Sequence, residues 1–423
     1  MVERRMQQET VPEFGDFQDV YVAQPITIAE VGQTVREAAA QGQSVFPLGG
    51  RTMLGLGFPP NKPGIGVDLR SLDQVIDYPA RDMTITVQAG TTISKLQAIL
   101  AAENQQLPVD VPLPEQATLG GAIAVNASGP RRYGYGTLRD YVIGISFVNG
   151  EGKEVKAGGR VVKNVAGYDL MKLHIGALGT LGIVTQVTLK LRPLPQEQTA
   201  LTVGCSADAL APLLELLHRT RTHPVWLELF NGAAIGYMGP QAQDFPADAP
   251  WFALIGFESN RETVLWQVKR LQKEIVEAYE AGLGIRQVGG PTGRLWRDFL
   301  ELPALEPGGL DLRANLLPSD IAAFCLLADM LPYALQLRVH AGNGIVIGHV
   351  DDLTLDKART MLKTLLDAVE PEGNVMVTRC PTEWKRRLPI WGKPRGDYWL
   401  MRRIKEALDP RGIFNPGRFV DGM

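Results

Sequence analysis

Cysteine is scarce and scattered: Cys205, Cys325 and Cys380 are the three in a chain of 423 residues. Their wide separation excludes a disulfide framework and any iron–sulfur or zinc spacing, and it fits a reducing, cytoplasmic setting. No apolar run reaches the roughly 18 residues that a membrane-spanning helix needs. The N-terminal residues Glu3, Arg4, Arg5, Gln7, Gln8 and Glu9 lack the apolar centre of a signal peptide. A net charge of −3 offers no broad basic surface to nucleic acid. Two nucleotide fingerprints are missing as well. Gly152-Lys153 is followed by Glu154 and Gly392-Lys393 by Pro394, so there is no Walker A loop. Gly134-Tyr135-Gly136-Thr137-Leu138-Arg139 and Gly176-Ala177-Leu178-Gly179-Thr180-Leu181-Gly182 both miss the spacing of the dinucleotide-binding glycine motif.

Glycine itself is abundant. Between Gly120 and Gly182 there are 14 glycines, where average usage of about 7% would give roughly four. Glycine loses the most backbone freedom on folding. Such density makes sense where main-chain N–H groups must approach a ligand that a Cβ would hold away, and a diphosphate is the usual one. Three loops carry it: Leu48–Gly57, Ala117–Gly136 and Gly176–Gly182, each beside a strand-like run. A large nucleotide cofactor, its phosphates held by several distant loops, is the expectation.

The length implies two or three domains. Residues 1–20 read as a loosely ordered leader. Thr27-x-x-Glu30 is a capping box opening a helix with Val31, Val35, Ala38 and Ala39 on one face. Strands are predicted at Val45–Leu48, Ile65–Leu69, Thr84–Ala89 and Gly182–Leu191. Thr92 caps a helix with Ile93, Leu96, Ile99 and Leu100 buried. Tyr141–Val148 and Glu154–Lys156 flank a hairpin turn at Asn149-Gly150-Glu151-Gly152. From 196 to 375 glycine thins out and longer helical patterns, Val264–Ala281 and Leu355–Val369, alternate with strands at Trp226–Phe230, Trp251–Phe257 and Ile345–His349. This segment reads as a second α+β domain. Residues 376–423 are basic and end in a specific motif, which predicts a tail folded back on the first domain.

Taken in order, Pro47-Leu48-Gly49-Gly50-Arg51-Thr52, Ala117-Thr118-Leu119-Gly120-Gly121, Asn126-Ala127-Ser128-Gly129, Tyr133-Gly134, Arg139-Asp140 and Gly179-Thr180-Leu181-Gly182-Ile183 resemble the FAD domain of the vanillyl-alcohol oxidase/PCMH superfamily. The tail Lys405-x-x-Leu408-Asp409-Pro410-x-Gly412-x-x-Asn415-Pro416-Gly417-Arg418 is similar to the C-terminal signature of its D-2-hydroxyacid dehydrogenase branch. The Gly159–Asp169 segment, Leu295-Trp296-Arg297 and His340-Ala341-Gly342-Asn343-Gly344 resemble the FAD-binding E subunits of bacterial glycolate oxidase complexes.

The resemblance implies an α+β protein: a two-part PCMH-type FAD-binding domain over 21–195, an α+β cap over 196–375 and a returning C-terminal segment. It implies that the backbones of Gly49, Gly50, Arg51 and Thr52, after Leu48, and the Thr118–Gly121 loop with Gly120 hold the pyrophosphate. Ser128, Gly129, Tyr133 and Gly134 lie along the ribityl chain and flavin ring, and Gly182 and Ile183 pair with the adenine edge. Asn415 and Arg418 return near the flavin or its substrate face, where Arg418 either stabilises charge at flavin N1–O2 or holds a substrate carboxylate. Arg51 itself faces the pyrophosphate or the solvent.

Two departures qualify the pattern. The first loop has neither histidine nor cysteine, so FAD is expected to be non-covalent. The dehydrogenase relatives hold a metal with His-x-x-x-x-x-x-His and a later Glu-His-Gly, whereas His340 and His349 stand nine apart and residues 379–385 read Arg-Cys-Pro-Thr-Glu-Trp-Lys. Both histidines read as isolated from any carboxylate, and no metal is expected. His340 remains the candidate base. The resulting expectation is an FAD subunit oxidising a small 2-hydroxy acid, glycolate or D-lactate, beside a separate FAD catalytic subunit and an iron–sulfur subunit. It would be cytoplasmic, or at the inner face of the membrane through its partners. A stand-alone flavin oxidase or dehydrogenase, and a non-catalytic flavin-bearing scaffold or electron relay, are the alternatives.

Overall fold

Local sequence signals start the elements of the first domain. The computed structural model describes residues 6–159, 169–238, 243–246, 249–279, 283–289 and 309–423. Most of the Gly159–Asp169 motif, with Lys163 and Tyr168, and all of Leu295-Trp296-Arg297 lie outside these residues. Helix Ile28–Ala40 opens where the Thr27 side chain accepts a hydrogen bond from the Glu30 amide, while the Glu30 carboxylate accepts one from the Ile26 amide. Thr92 caps Ile93–Ala101 through the Lys95 amide. The hairpin Val142–Val148/Glu154–Gly158 turns around Asn149, whose Oδ1 accepts from the Glu151 and Lys153 amides.

These elements build two sheets. A four-stranded sheet runs Met6–Thr10, Asp19–Ala23, Gly64–Asp68, Ser44–Leu48, with the last two pairings parallel. A five-stranded antiparallel sheet runs Val75–Asp77, Thr84–Gln88, Ile183–Lys190, Val142–Val148, Glu154–Gly158. This is the two-part FAD-binding architecture expected. The leader reading over 1–20 is corrected: Met6–Thr10 and Asp19–Ala23 pair antiparallel, and Phe14 is fully buried with its ring 4.8 Å from that of Phe46. Polar Met6–Thr10 is an exposed edge strand, so it shows no alternation for sequence reasoning to detect.

The second domain is one eight-stranded antiparallel sheet, ordered Gly284–Gly289, Glu197–Cys205, Trp251–Ser259, Trp226–Asn231, Gln336–His340, Ile345–Val350, Leu310–Asn315, Asn374–Arg379. Its last strand carries the domain past the expected boundary at 375. One face is apolar, with Leu227, Leu229, Leu312, Ala314, Leu337 and Val339 packed under helices Ala207–Arg219, Arg261–Ala278, Ile321–Asp329 and Leu355–Ala368.

After helix Tyr398–Leu408 the chain returns to the first domain. The Val45 amide donates to Ile413 O at 2.7 Å and the Asn415 amide to Val45 O at 3.1 Å, so the tail lines up beside Ser44–Leu48. The Asp409 carboxylate accepts from the Ile413 and Phe414 amides and from Lys405 Nζ. Phe414 has no exposed surface and sits among Val31, Val35, Val45 and Ile183. Phe414→Ala is expected to cost about 3–5 kcal/mol, read as a lowered midpoint in thermal or urea unfolding. An unchanged midpoint would mean that the tail does not hold the first domain together.

Candidate active site

The three glycine loops meet at one cleft, lined by Leu48, Gly49, Thr118, Gly120, Gly121, Gly182 and Asn415 among others. Its first wall follows strand Ser44–Leu48. Among the described residues, the amides of Gly49, Gly50, Arg51 and Thr52 have no hydrogen-bond acceptor. A side chain at two of these positions would force the loops apart: a Cβ on Gly49 would stand 2.2 Å from Thr118 Oγ1, and one on Gly50 would stand 1.8 Å from Gln116 O. Arg51 adopts a left-handed conformation (φ 61°), of the kind that turns successive amides toward an anion. Its guanidinium turns away to Glu9 at 2.6 Å.

The second wall differs from expectation in detail. Thr118 caps helix Leu119–Val125. The Leu119 amide donates to Thr91 O, the Gly120 amide to Ala89 O and the Gly121 amide to Thr118 Oγ1. Those three donors are already occupied, which leaves the Thr118 amide as the one in Thr118–Gly121 without a described acceptor. Gly182, at φ 147°, leads into Ile183, which pairs with Val148 at the start of its strand. From the tail, Asn415 Nδ2 donates to Leu178 O at 2.6 Å, and its Oδ1 is buried with no donor. A cradle of free amides that leaves no room for a Cβ, with an orphaned acceptor in the same cleft, fits the phosphates and adenosine of FAD.

Arg418 lies elsewhere. Its Nη2 donates to the carbonyls of Leu54 and Leu56, the guanidinium is buried over the Phe14 ring, and burial lowers it to about 10. Lys385 Nζ donates to Gly55 O at 2.6 Å, and burial, then Arg418, bring it down to about 8. These two cations hold the segment that continues the first glycine loop, so Arg418 positions that loop and its Nη2 is taken up by those contacts.

A second polar centre forms where helix Arg132–Tyr135 of the first domain meets the eight-stranded sheet. The Gly134 amide donates to Val225 O, and a Cβ on Gly342 would stand 2.3 Å from the Tyr133 ring. The Arg132 amide donates to Gly129 O and its Nη1 to Ser128 Oγ, so Gly129, Ser128, Tyr133 and Gly134 all serve this junction. On the sheet, Glu228 stands directly opposite His340, and Arg338 and Arg313 both stand opposite Ile347. Since facing residues and residues two apart share a face, these four titratable side chains lie on the face away from the helices.

His340 corrects the reading of an isolated histidine. Its Nδ1 lies 2.7 and 2.9 Å from the two oxygens of Glu228, and both side chains are buried. Burial first, then Arg338, Arg313 and Arg132, holds the imidazole well below its usual range, so it is neutral. Burial also raises the Glu228 carboxyl well above its usual range; in the tautomer with the ring proton on Nδ1, Glu228 accepts that proton's hydrogen bond and Nε2 is left as an acceptor. His349 also has partners, Asp311 at 2.5 Å and Asp351 at 2.9 Å, and they raise it. Among the described residues no cluster of three or more His, Cys, Asp or Glu side chains could hold a metal.

Arg132 and Arg313 are partly buried, and neither has an ion pair among the described residues. Arg132 donates to Ser128 and Arg313 to Asn315 Oδ1, and Arg132 Nε is buried without an acceptor. Burial and the charge of Arg132 lower Arg313 to about 10. Glu228, Arg313 and Arg338 were missed in the sequence. For Glu228 and Arg338 the signal was present as single charges inside otherwise apolar strands, Trp226-Leu-Glu-Leu-Phe and Leu337-Arg-Val-His.

Comparison with known proteins agrees with this geometry. Residues 20–158 match the family profile "FAD binding domain", and residues 393–419 match "FAD linked oxidases, C-terminal domain". The chain is 28% identical over 423 residues to D-2-hydroxyglutarate dehydrogenase of Xanthomonas citri pv. viticola, covering 95% of this chain and 89% of that one. It is 38% identical over 139 residues to glycolate oxidase subunit GlcE of Escherichia coli, covering 33% of this chain and 40% of that one. The 4-ethylphenol oxidase of Gulosibacter chungangensis has the same fold, with a TM-score of 0.73 at 14% identity over 96% of this chain and 91% of that one.

Proposed function

Starting from a chain that carries a PCMH-type FAD-binding domain and the C-terminal domain of FAD-linked oxidases, we propose that it oxidises a 2-hydroxy acid where helix Arg132–Tyr135 meets the sheet. One observation carries this reading: two guanidiniums without counter-ions among the described residues, Arg132 and Arg313, adjoin a neutral histidine held by a buried glutamate. The arginines take the substrate carboxylate. His340 Nε2 accepts the hydroxyl proton, and the charge that follows on the imidazole is stabilised by Glu228. FAD, when bound, supplies the hydride acceptor. The relative named D-2-hydroxyglutarate dehydrogenase supports the substrate class, and the GlcE segment supports glycolate.

The three cysteines are buried and far apart, so the onward electron path is assigned to other subunits. We place the chain in a glycolate-oxidase-type assembly, beside a second FAD subunit and an iron–sulfur subunit. Likeness to GlcE over one third of the chain supports that placement. The test is Arg313→Met, assayed in the reconstituted assembly with a dye acceptor. Loss of a charged hydrogen bond to the carboxylate is expected to raise KM about 30- to 100-fold with FAD content unchanged. An unchanged KM would remove Arg313 from the site and the reading with it.

A further inference from the structure

Among the residues lining the nucleotide cleft, one side chain can titrate: His174. It ends the short helix Met171–His174, is 4% exposed and lies with its ring 3.9 Å from that of Phe147. Burial lowers it to about 4, so the imidazole is neutral, with one N–H donor and one acceptor nitrogen. Among the described residues neither nitrogen has a hydrogen-bond partner. A buried polar ring normally finds one. His174 also borders the third glycine loop: a Cβ on Gly182 would stand 3.7 Å from its Cε1.

Asn415 lines the same cleft. Its Nδ2 is committed to Leu178 O, which fixes the amide orientation and presents the buried, unpartnered Oδ1. One cleft therefore holds a fixed acceptor and a neutral imidazole, both unmatched. The free amides that suit phosphate lie at Gly49–Thr52, and Gly49 lines the same cleft.

We infer that His174 and Asn415 Oδ1 hydrogen-bond the adenosine half of FAD, and that His174 makes the cleft select the dinucleotide over flavin mononucleotide. Adenine offers an amino donor to Asn415 and ring nitrogens or ribose hydroxyls to His174. Contact with Phe147 orients the imidazole for that bond.

The test uses full-length apoprotein and isothermal titration with FAD, ADP and FMN. His174→Phe keeps an aromatic ring against Phe147 and removes both nitrogens. It is expected to weaken FAD and ADP roughly tenfold, the scale of one buried hydrogen bond, and to leave FMN unchanged. His174→Gln, which restores a donor and an acceptor, is expected to recover most of the loss; His174→Leu, which also removes both nitrogens, stands in with the same expected loss if the phenylalanine variant does not fold. Wild-type ADP affinity in the phenylalanine variant would overturn the inference. So would equal losses for FAD and FMN, which would place His174 at the flavin end.

Discussion

His340→Gln is expected to lower kcat for a 2-hydroxy acid by about a thousandfold, in the range of a lost general base, while the bound flavin keeps its spectrum. Glutamine can still hydrogen-bond, but it cannot take the hydroxyl proton, and the substrate carboxylate keeps Arg132 and Arg313. The loss therefore falls on kcat and not on KM. The sign of the pH dependence follows from the same environment. His340 works as a base only when neutral, and burial with three arginines holds it neutral to lower pH than a free imidazole. The wild-type kcat is thus expected to stay level as pH falls through the usual histidine range near 6.5. A fall centred there would mean that the imidazole is not held below its usual range, and wild-type kcat in the glutamine variant would take His340 out of the chemistry.

Gly50→Ala is the second large effect: a folded protein with FAD affinity reduced by more than about a hundredfold. The added methyl would stand 1.8 Å from Gln116 O and 3.1 Å from Ala117 Cα, so the first loop must move off the second. That shift disperses the four amides of Gly49–Thr52, which act together on one pyrophosphate. Circular dichroism separates the effect from unfolding. Stoichiometric flavin in the purified variant would show that the cradle lies elsewhere.

Much of the first domain was legible because its signals are local. Thr27 and Thr92 cap helices through the amide three residues on, and Asn149 closes its hairpin with its own side chain. The glycine loops could be read as a group because each marks a point where backbone must approach closely. The polar junction could not be read in the same way. Glu228, Arg313, Arg338 and His340 come from three separate strands, and sheet register alone brings them together. His340 looked unpartnered because its carboxylate lies 112 residues away. The tail motif lies beside Ser44–Leu48, but Asn415 and Arg418, three residues apart, divide between the cleft and the 54–56 loop. Met6–Thr10 was overlooked for the opposite reason: an exposed edge strand carries no hydrophobic pattern.

The most direct test of a hydroxy-acid oxidoreductase is an anaerobic absorption titration of the FAD-loaded chain, first alone and then in its assembly, with glycolate, D-lactate and D-2-hydroxyglutarate. Loss of the flavin band near about 450 nm with at least one of these acids is expected, with Arg313→Met shifting the required concentration upward. A band that persists with all three, in the assembly as well as alone, would contradict the proposed site and leave a flavin-bearing scaffold.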